Sequence, residues 1–169
     1  RPLQMVIAKS NNLPTLYGHC IGLGTVPRIT ITTHFAHDKT PVWYLGGKLA
    51  EEGVSRDAVE QIATAKQELI ALFPRIDFST TKFASFYVDR AEAKQSNGSK
   101  PNSITVFNKN NYITAWPTKL AFAPLLAQQI LDCMHTAKIH PSNIELPKAL
   151  VNLPQAEIAI PVWDQLFVD

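Results

Sequence analysis

The sequence predicts an α+β fold built on a mainly antiparallel sheet and ending in an extended, proline-rich tail. Two observations carry that prediction. Strand-like runs lie on both sides of one clear helical segment and are joined by hairpin-type turns, and Pro141, Pro147, Pro154 and Pro161 punctuate the stretch from Lys138 onward. With 169 residues, 46% of them hydrophobic and 18% charged, the chain is long enough to bury a core and carries no disordered or collagenous bias.

Taken in order, RPLQMVIA opens as an apolar strand, and KSNNLPTLYGHCIGLGTVP is rich in Asn, Gly and Pro and reads as loop with room for a short strand. RITITTHF alternates Ile29 and Ile31 against Thr30 and Thr32, and PVWYLGG follows a polar AHDKT break, which is the signal of a β-hairpin. From Arg56 to Phe73, Val59, Ile62, Ala63, Leu69, Ile70 and Phe73 recur at helical spacing, with Ser55 as N-cap and Pro74 as the stop. KFASFYVDRAEAKQ returns to strand character, SNGSKPNS is a turn-rich break, and SITVFNKNNYITAW reads as two strands around an Asn-rich turn. A second helix follows the polar join Trp116-Pro117-Thr118-Lys119 and ends near Ala137. Beyond it the prolines leave space for little regular structure except a short turn around PKALVN.

Composition excludes several function classes. A net charge of +2 from interspersed signs, with no run of Lys or Arg, offers no footprint for nucleic acid. Two cysteines, Cys20 and Cys133, are too few for a secreted disulfide scaffold and fit a reducing cytoplasm. The apolar runs fall short of the ~20 residues that span a bilayer. The chain starts inside an apolar run without an initiator Met or a signal-type segment, which points to a fragment.

Few residues form a motif. His34 and His37 supply half of a zinc site with no obvious remainder, and a solvated turn accounts for them better. GLG at Gly22–Gly24 lacks the third glycine of a dinucleotide fingerprint, and neither a P-loop nor a Gly-x-Ser-x-Gly elbow is present. His19 and Cys20 are neighbours on a strand and so point to opposite faces, which argues against a thiolate pair. Arg90, at the end of FYVDR, can offer a two-pronged donor to a carboxylate or phosphate, or can pair with Asp89 or Glu92. At the polar join, the start of a helix presents unsatisfied amides and the positive end of its dipole. Thr118 as cap and Trp116 as a packing residue are the plainer alternatives there.

The order of these elements, with PRITITTHFAHDKTPVWYLGG, LIALFPRI, FYVDRA, NGSKPNS and YITAWPTKLAFAP, resembles the back half of FAD-dependent oxidoreductases of the D-amino-acid oxidase and glycine oxidase superfamily, over residues 1 to about 131. The resemblance implies a substrate-binding sheet with helices packed on one side (residues 1–102), a return strand and helix facing the flavin (103–137) and an extended tail (138–169), with the N-terminal FAD-binding domain of the same polypeptide as the missing partner. It implies that Trp116, Pro117, Thr118, Lys119 and Leu120 meet the flavin edge, where amides and a helix dipole stabilise the negative charge that develops on hydride transfer. It places Arg90 as the anchor of a small anionic substrate whose C–N or C–O bond is oxidised, with Trp43 or Tyr44 lining the pocket or simply packing in the core. No catalytic base and no metal ligand is implied. The chain alone is expected to be inactive, to retain no FAD, and to self-associate through its exposed return strand. The rival from another class is a non-catalytic small-ligand or protein-interaction module in which Arg90 is a salt-bridge residue; a zinc-dependent hydrolase rests on the His pair alone.

Overall fold

Leu3 to Ala8 is apolar almost without a break because the strand it forms, β1 (Pro2–Lys9), lies inside the sheet and is covered on both faces. In the computed structural model, which describes residues 1–24, 26–95, 101–110, 112–116, 119–141, 145 and 148–167, β1 pairs with β4 (Pro41–Gly46) on one side and β5 (Lys82–Asp89) on the other. Strands β2 (Tyr17–Cys20) and β3 (Ile29–Phe35) complete a five-stranded sheet of order β2-β3-β4-β1-β5, antiparallel at every pairing. The β3–β4 hairpin is the one the alternation predicts. Its turn bends through Lys39 at φ 68 and is held by the Asp38 carboxylate, which accepts the Thr40 amide at 2.9 Å.

The sheet's two faces are filled differently. On one face Val6, Ala8, Ile29, Ile31, Trp43 and Leu45 form the main core with Ala65 and Leu69 of helix α2 (Ala58–Leu72). A short helix α1 (Lys48–Glu52) and a 3-10 turn at Gly53–Ser55 precede α2. Gly47, which joins β4 to α1, stands at φ 77, and a Cβ there would lie 2.8 Å from the Pro27 carbonyl oxygen, so a glycine is required.

Helix α2 departs from its expected details. Its N-cap is Asp57, whose carboxylate accepts the Glu60 amide at 2.8 Å, whereas the Ser55 hydroxyl donates to the Glu52 carbonyl within the preceding turn. Its buried stripe is Gln61, Ala65 and Leu69, and Val59 and Ile70 are exposed. The small Ala65 lets the helix sit close to the sheet. Gln61 tolerates full burial because its amide donates to the carbonyls of Gln4 and Leu49 and accepts from Arg56.

The chain divides into two compact units, Arg1–Arg90 with Glu157–Asp169, and Ala91–Ala156. The second unit holds a two-stranded hairpin, β6 (Thr105–Lys109) and β7 (Tyr112–Trp116), and helix α3 (Ala123–Thr136), which is entered through a 3-10 turn at Leu120–Phe122. Asn110, at φ 56, makes the hairpin bend that the Asn-rich run predicts.

The tail is a correction. Besides α4 (Lys148–Val151), which falls on the expected PKALVN turn, it forms a further helix, α5 (Val162–Leu166), introduced by Pro161 and packed on the first unit. Among the described residues no helix is long and apolar enough to cross a membrane.

Candidate functional site

Strand alternation sends Trp43 and Tyr44 to opposite faces of the sheet. Trp43 is fully buried on the helix side, packs edge-on against Phe73 and Phe78, and donates its indole N–H to the Pro14 carbonyl at 2.8 Å. Its side chain belongs to the main core. Tyr44 is half-buried on the other face, opposite Ile7 in the register.

That second face carries a row of rings. Phe86 meets Tyr44 edge-on at 5.8 Å between centroids, Tyr44 meets His34 at 6.0 Å, and His34 stacks on Trp163 of α5 at 4.4 Å and 22°. The first three come from β5, β4 and β3, with β1 between the first two: the register sets Phe86 against Met5, Ile7 against Tyr44 and His34 against Val42. Trp163 and Phe167 pack on the cluster of Ile7, Ala36 and Val42 beneath, and the Asp164 carboxylate accepts the His37 amide at 2.9 Å, fixing α5 to the hairpin turn. Of the row, the sequence offers Tyr44 as a pocket-lining candidate and His34 only as half of a zinc pair. The period of two could have found His34 and Phe86 once the hairpin register was known, whereas no local signal ties Trp163 to them.

Arg90 stands just beyond β5, exposed. Its backbone is zipped to the first residue: the Arg90 amide donates to the Arg1 carbonyl at 2.9 Å, and the terminal amine donates to the Arg90 carbonyl at 2.8 Å. Among the described residues its guanidinium makes no ion pair, with Asp89 or otherwise. It does act on Tyr44. Burial pushes the Tyr44 phenol up from its ordinary value, and the positive charge of Arg90 pulls it back down. Burial also lowers the pKa of His34, which favours a neutral imidazole; its Nε2 lies 3.1 Å from the Thr32 hydroxyl. The face thus joins a cation at one end to a half-buried aromatic floor, a combination suited to an anionic group with an apolar or π-bearing body.

In the second unit, Trp116 packs edge-on against Phe107 at 5.9 Å. Lys119 is exposed with its ammonium 5.6 Å from the centre of the Phe122 ring, and Leu120 is 86% exposed. Pro117 and Thr118 lie outside the described residues. The 3-10 turn opening at Leu120 has no side-chain cap among the described residues.

Two clefts lie elsewhere on the first unit. One of about 120 Å³ is bordered by α1 and α2, with its charges already paired as Arg28–Glu68 at 2.6 Å, Lys48–Glu52 at 3.3 Å and Arg56–Glu52 at 3.5 Å. The other, about 380 Å³, is polar and contains the Lys9–Asp38 ion pair at 2.8 Å. Neither includes Arg90 or Tyr44. Among the described residues no three of His, Cys, Asp and Glu converge as a metal site; the His34 ring is stacked on Trp163, and His37 contributes its backbone amide to Asp164.

No family model matches the chain. It is 44% identical over 168 residues to the probable FAD-dependent oxidoreductase PA4991 of Pseudomonas aeruginosa, a match that takes in 99% of this chain and 42% of that protein. The crystal structure of the same Pseudomonas protein superposes on 99% of the chain with a TM-score of 0.88 at 43% identity, covering 46% of the solved chain. The chain therefore spans less than half the length of the relative it matches.

Proposed function

We propose that this chain is the substrate-binding and flavin-capping portion of an FAD-dependent oxidoreductase of the D-amino-acid oxidase and glycine oxidase type, which oxidises a C–N or C–O bond of a small anionic substrate. The observation that carries this reading is the match of nearly the whole chain to less than half of an FAD-dependent oxidoreductase. The remainder of such a protein has room for the dinucleotide-binding domain. When bound, FAD supplies the hydride acceptor.

The residues of the chain fit that group and its substrate. The uncapped turn at Leu120 and Ala121 offers backbone amides and the positive end of a helix to an electron-rich ring edge, and Lys119 adds charge beside it. Trp116, Pro117, Thr118, Lys119 and Leu120 are the residues assigned to this contact. Arg90 holds the substrate's carboxylate through its guanidinium fork, and Tyr44, with Phe86 beside it, provides the floor against which the substrate body is oriented. We assign no side chain on this face as a proton-abstracting base. The contribution of the chain is orientation and exclusion of water, with the chemistry left to the cofactor.

The test is Arg90→Ala in the complete protein. Losing a charge-assisted bidentate contact worth ~1.5 to 3 kcal/mol lowers kcat/KM by roughly ten- to more than a hundredfold. Melting temperature should stay put, because the side chain is exposed and outside the core. Arg90→Lys should rescue only in part. An unchanged kcat/KM together with a melting temperature lowered by several degrees would make Arg90 a structural residue and sink the assignment.

A further inference from the structure

The ring row on the sheet is not symmetric. At one end stands Arg90, exposed and, among the described residues, without an ion pair. At the other, the sheet face is closed by α5, whose Trp163 stacks on His34 while Trp163 and Phe167 cover Ile7, Ala36 and Val42. Between them lie Phe86 and Tyr44, both half-buried. The β5 residues packed on the same cluster as Trp163 are Ala84 and Phe86, four to six residues from Arg90, or roughly 13 to 20 Å of strand at about 3.3 Å per residue.

We infer that Trp163 is the specificity-determining residue of this face: Arg90 anchors a carboxylate at the open end, the apolar body of the ligand lies along Phe86 and Tyr44, and Trp163 is the stop that limits how long that body can be. The inference rests on the reading of this face as the substrate face. The stop is built firmly. The Asp164–His37 bond and the stack on His34 hold Trp163 from two sides, and its partners come from three different segments of the chain. One feature of its setting makes a clean variant available. The indole N–H of Trp163 is buried with no hydrogen-bond partner among the described residues, so Trp163→Phe removes an unsatisfied donor while keeping a ring on His34.

The experiment is calorimetric titration of the complete protein with straight-chain carboxylates from acetate to dodecanoate. Each added methylene that is buried should raise affinity about fourfold. In the unaltered protein the rise should stop at an intermediate length. Trp163→Leu should move that break to longer chains and Trp163→Ala further still, raising affinity for the longest carboxylates tenfold or more, with acetate unaffected. Trp163→Phe should leave the break within one methylene of its original place and serves as the variant whose folding is least disturbed. Arg90→Ala should weaken every member of the series by a similar factor. If Arg90→Ala weakens none, the substrate-face reading itself fails. If Arg90→Ala weakens all of them but the break stays fixed in both Trp163→Leu and Trp163→Ala, the face is the substrate face and Trp163 is not its stop.

Discussion

At the tip of the β3–β4 hairpin, Asp38 accepts a hydrogen bond from the Lys9 ammonium at 2.8 Å and another from the Thr40 amide at 2.9 Å. Both stabilise the charged form, and the Lys9 contact is the larger cause of a carboxyl pKa lowered from 3.8 to about 2. Because the folded value lies below the unfolded one, the native state binds fewer protons across that interval. The stabilisation is therefore complete above pH ~4 and is lost as pH falls from there through about 2. A carbon-13 titration of the Asp38 carboxyl should give a midpoint near 2, and Lys9→Gln should raise it only part of the way to 3.8, since the Thr40 amide remains. A midpoint of 3.8 in the unaltered protein would show the pair to be broken in solution. At the same scale, the fate of Trp43 and Tyr44 shows what one residue's identity can and cannot say. Both are aromatic strand residues fit for a pocket, and only the direction of the pleat, which depends on pairing register, decides that the first is fully buried against the helix and the second half-buried on the opposite face.

The elements differ in how openly they announce themselves. The β3–β4 and β6–β7 hairpins are legible because alternation and turn chemistry agree, in Ile29/Thr30/Ile31/Thr32 and in the Asn-rich bend at Asn110. Helix α2 is legible in existence but not in rotation: a buried Gln61 breaks the apolar pattern, and its satisfaction by distant carbonyls is invisible in sequence. Its start is ambiguous for a similar reason, since Ser55 and Asp57 are both good caps and only the intervening turn chooses between them. Asp57→Ala should cost about 1 kcal/mol, within the 0.5–2 range of lost N-caps, whereas Ser55→Ala should stay within about 0.5 kcal/mol. Urea unfolding of the two variants decides it, and equal losses would mean that the two residues share the cap. Helix α5 is illegible because five residues after a proline are too few to carry a periodicity; it exists by docking, and its docking sites on Ile7, Ala36 and Val42 are far away in sequence.

At the scale of the molecule, the two units are unequally buried. The first buries residues on both faces of its sheet, whereas in the second no residue of α3 is buried and Tyr112, Leu120 and Phe107 are 78%, 86% and 55% exposed. Such a unit needs apolar cover from elsewhere, which accords with a chain that spans less than half of its relative. Amides of β6 and β7 should therefore exchange with solvent far faster than those of β1, and the isolated chain should self-associate at micromolar concentration, as seen by light scattering. A monomer in which β6 and β7 are as protected as β1 would refute this.

The first unit is also discontinuous, since Arg1–Arg90 is completed by Glu157–Asp169. During synthesis the sheet has all its strands once Asp89 is made, yet Trp163 and Phe167 are added only after the whole of the second unit. At about 5–20 residues per second the ribosome leaves Ile7 and Val42 uncovered for roughly 4 to 15 s, long compared with the time in which hydrophobic surfaces find one another. The nascent chain is thus most open to wrong partners late in its synthesis, with its strands already in place.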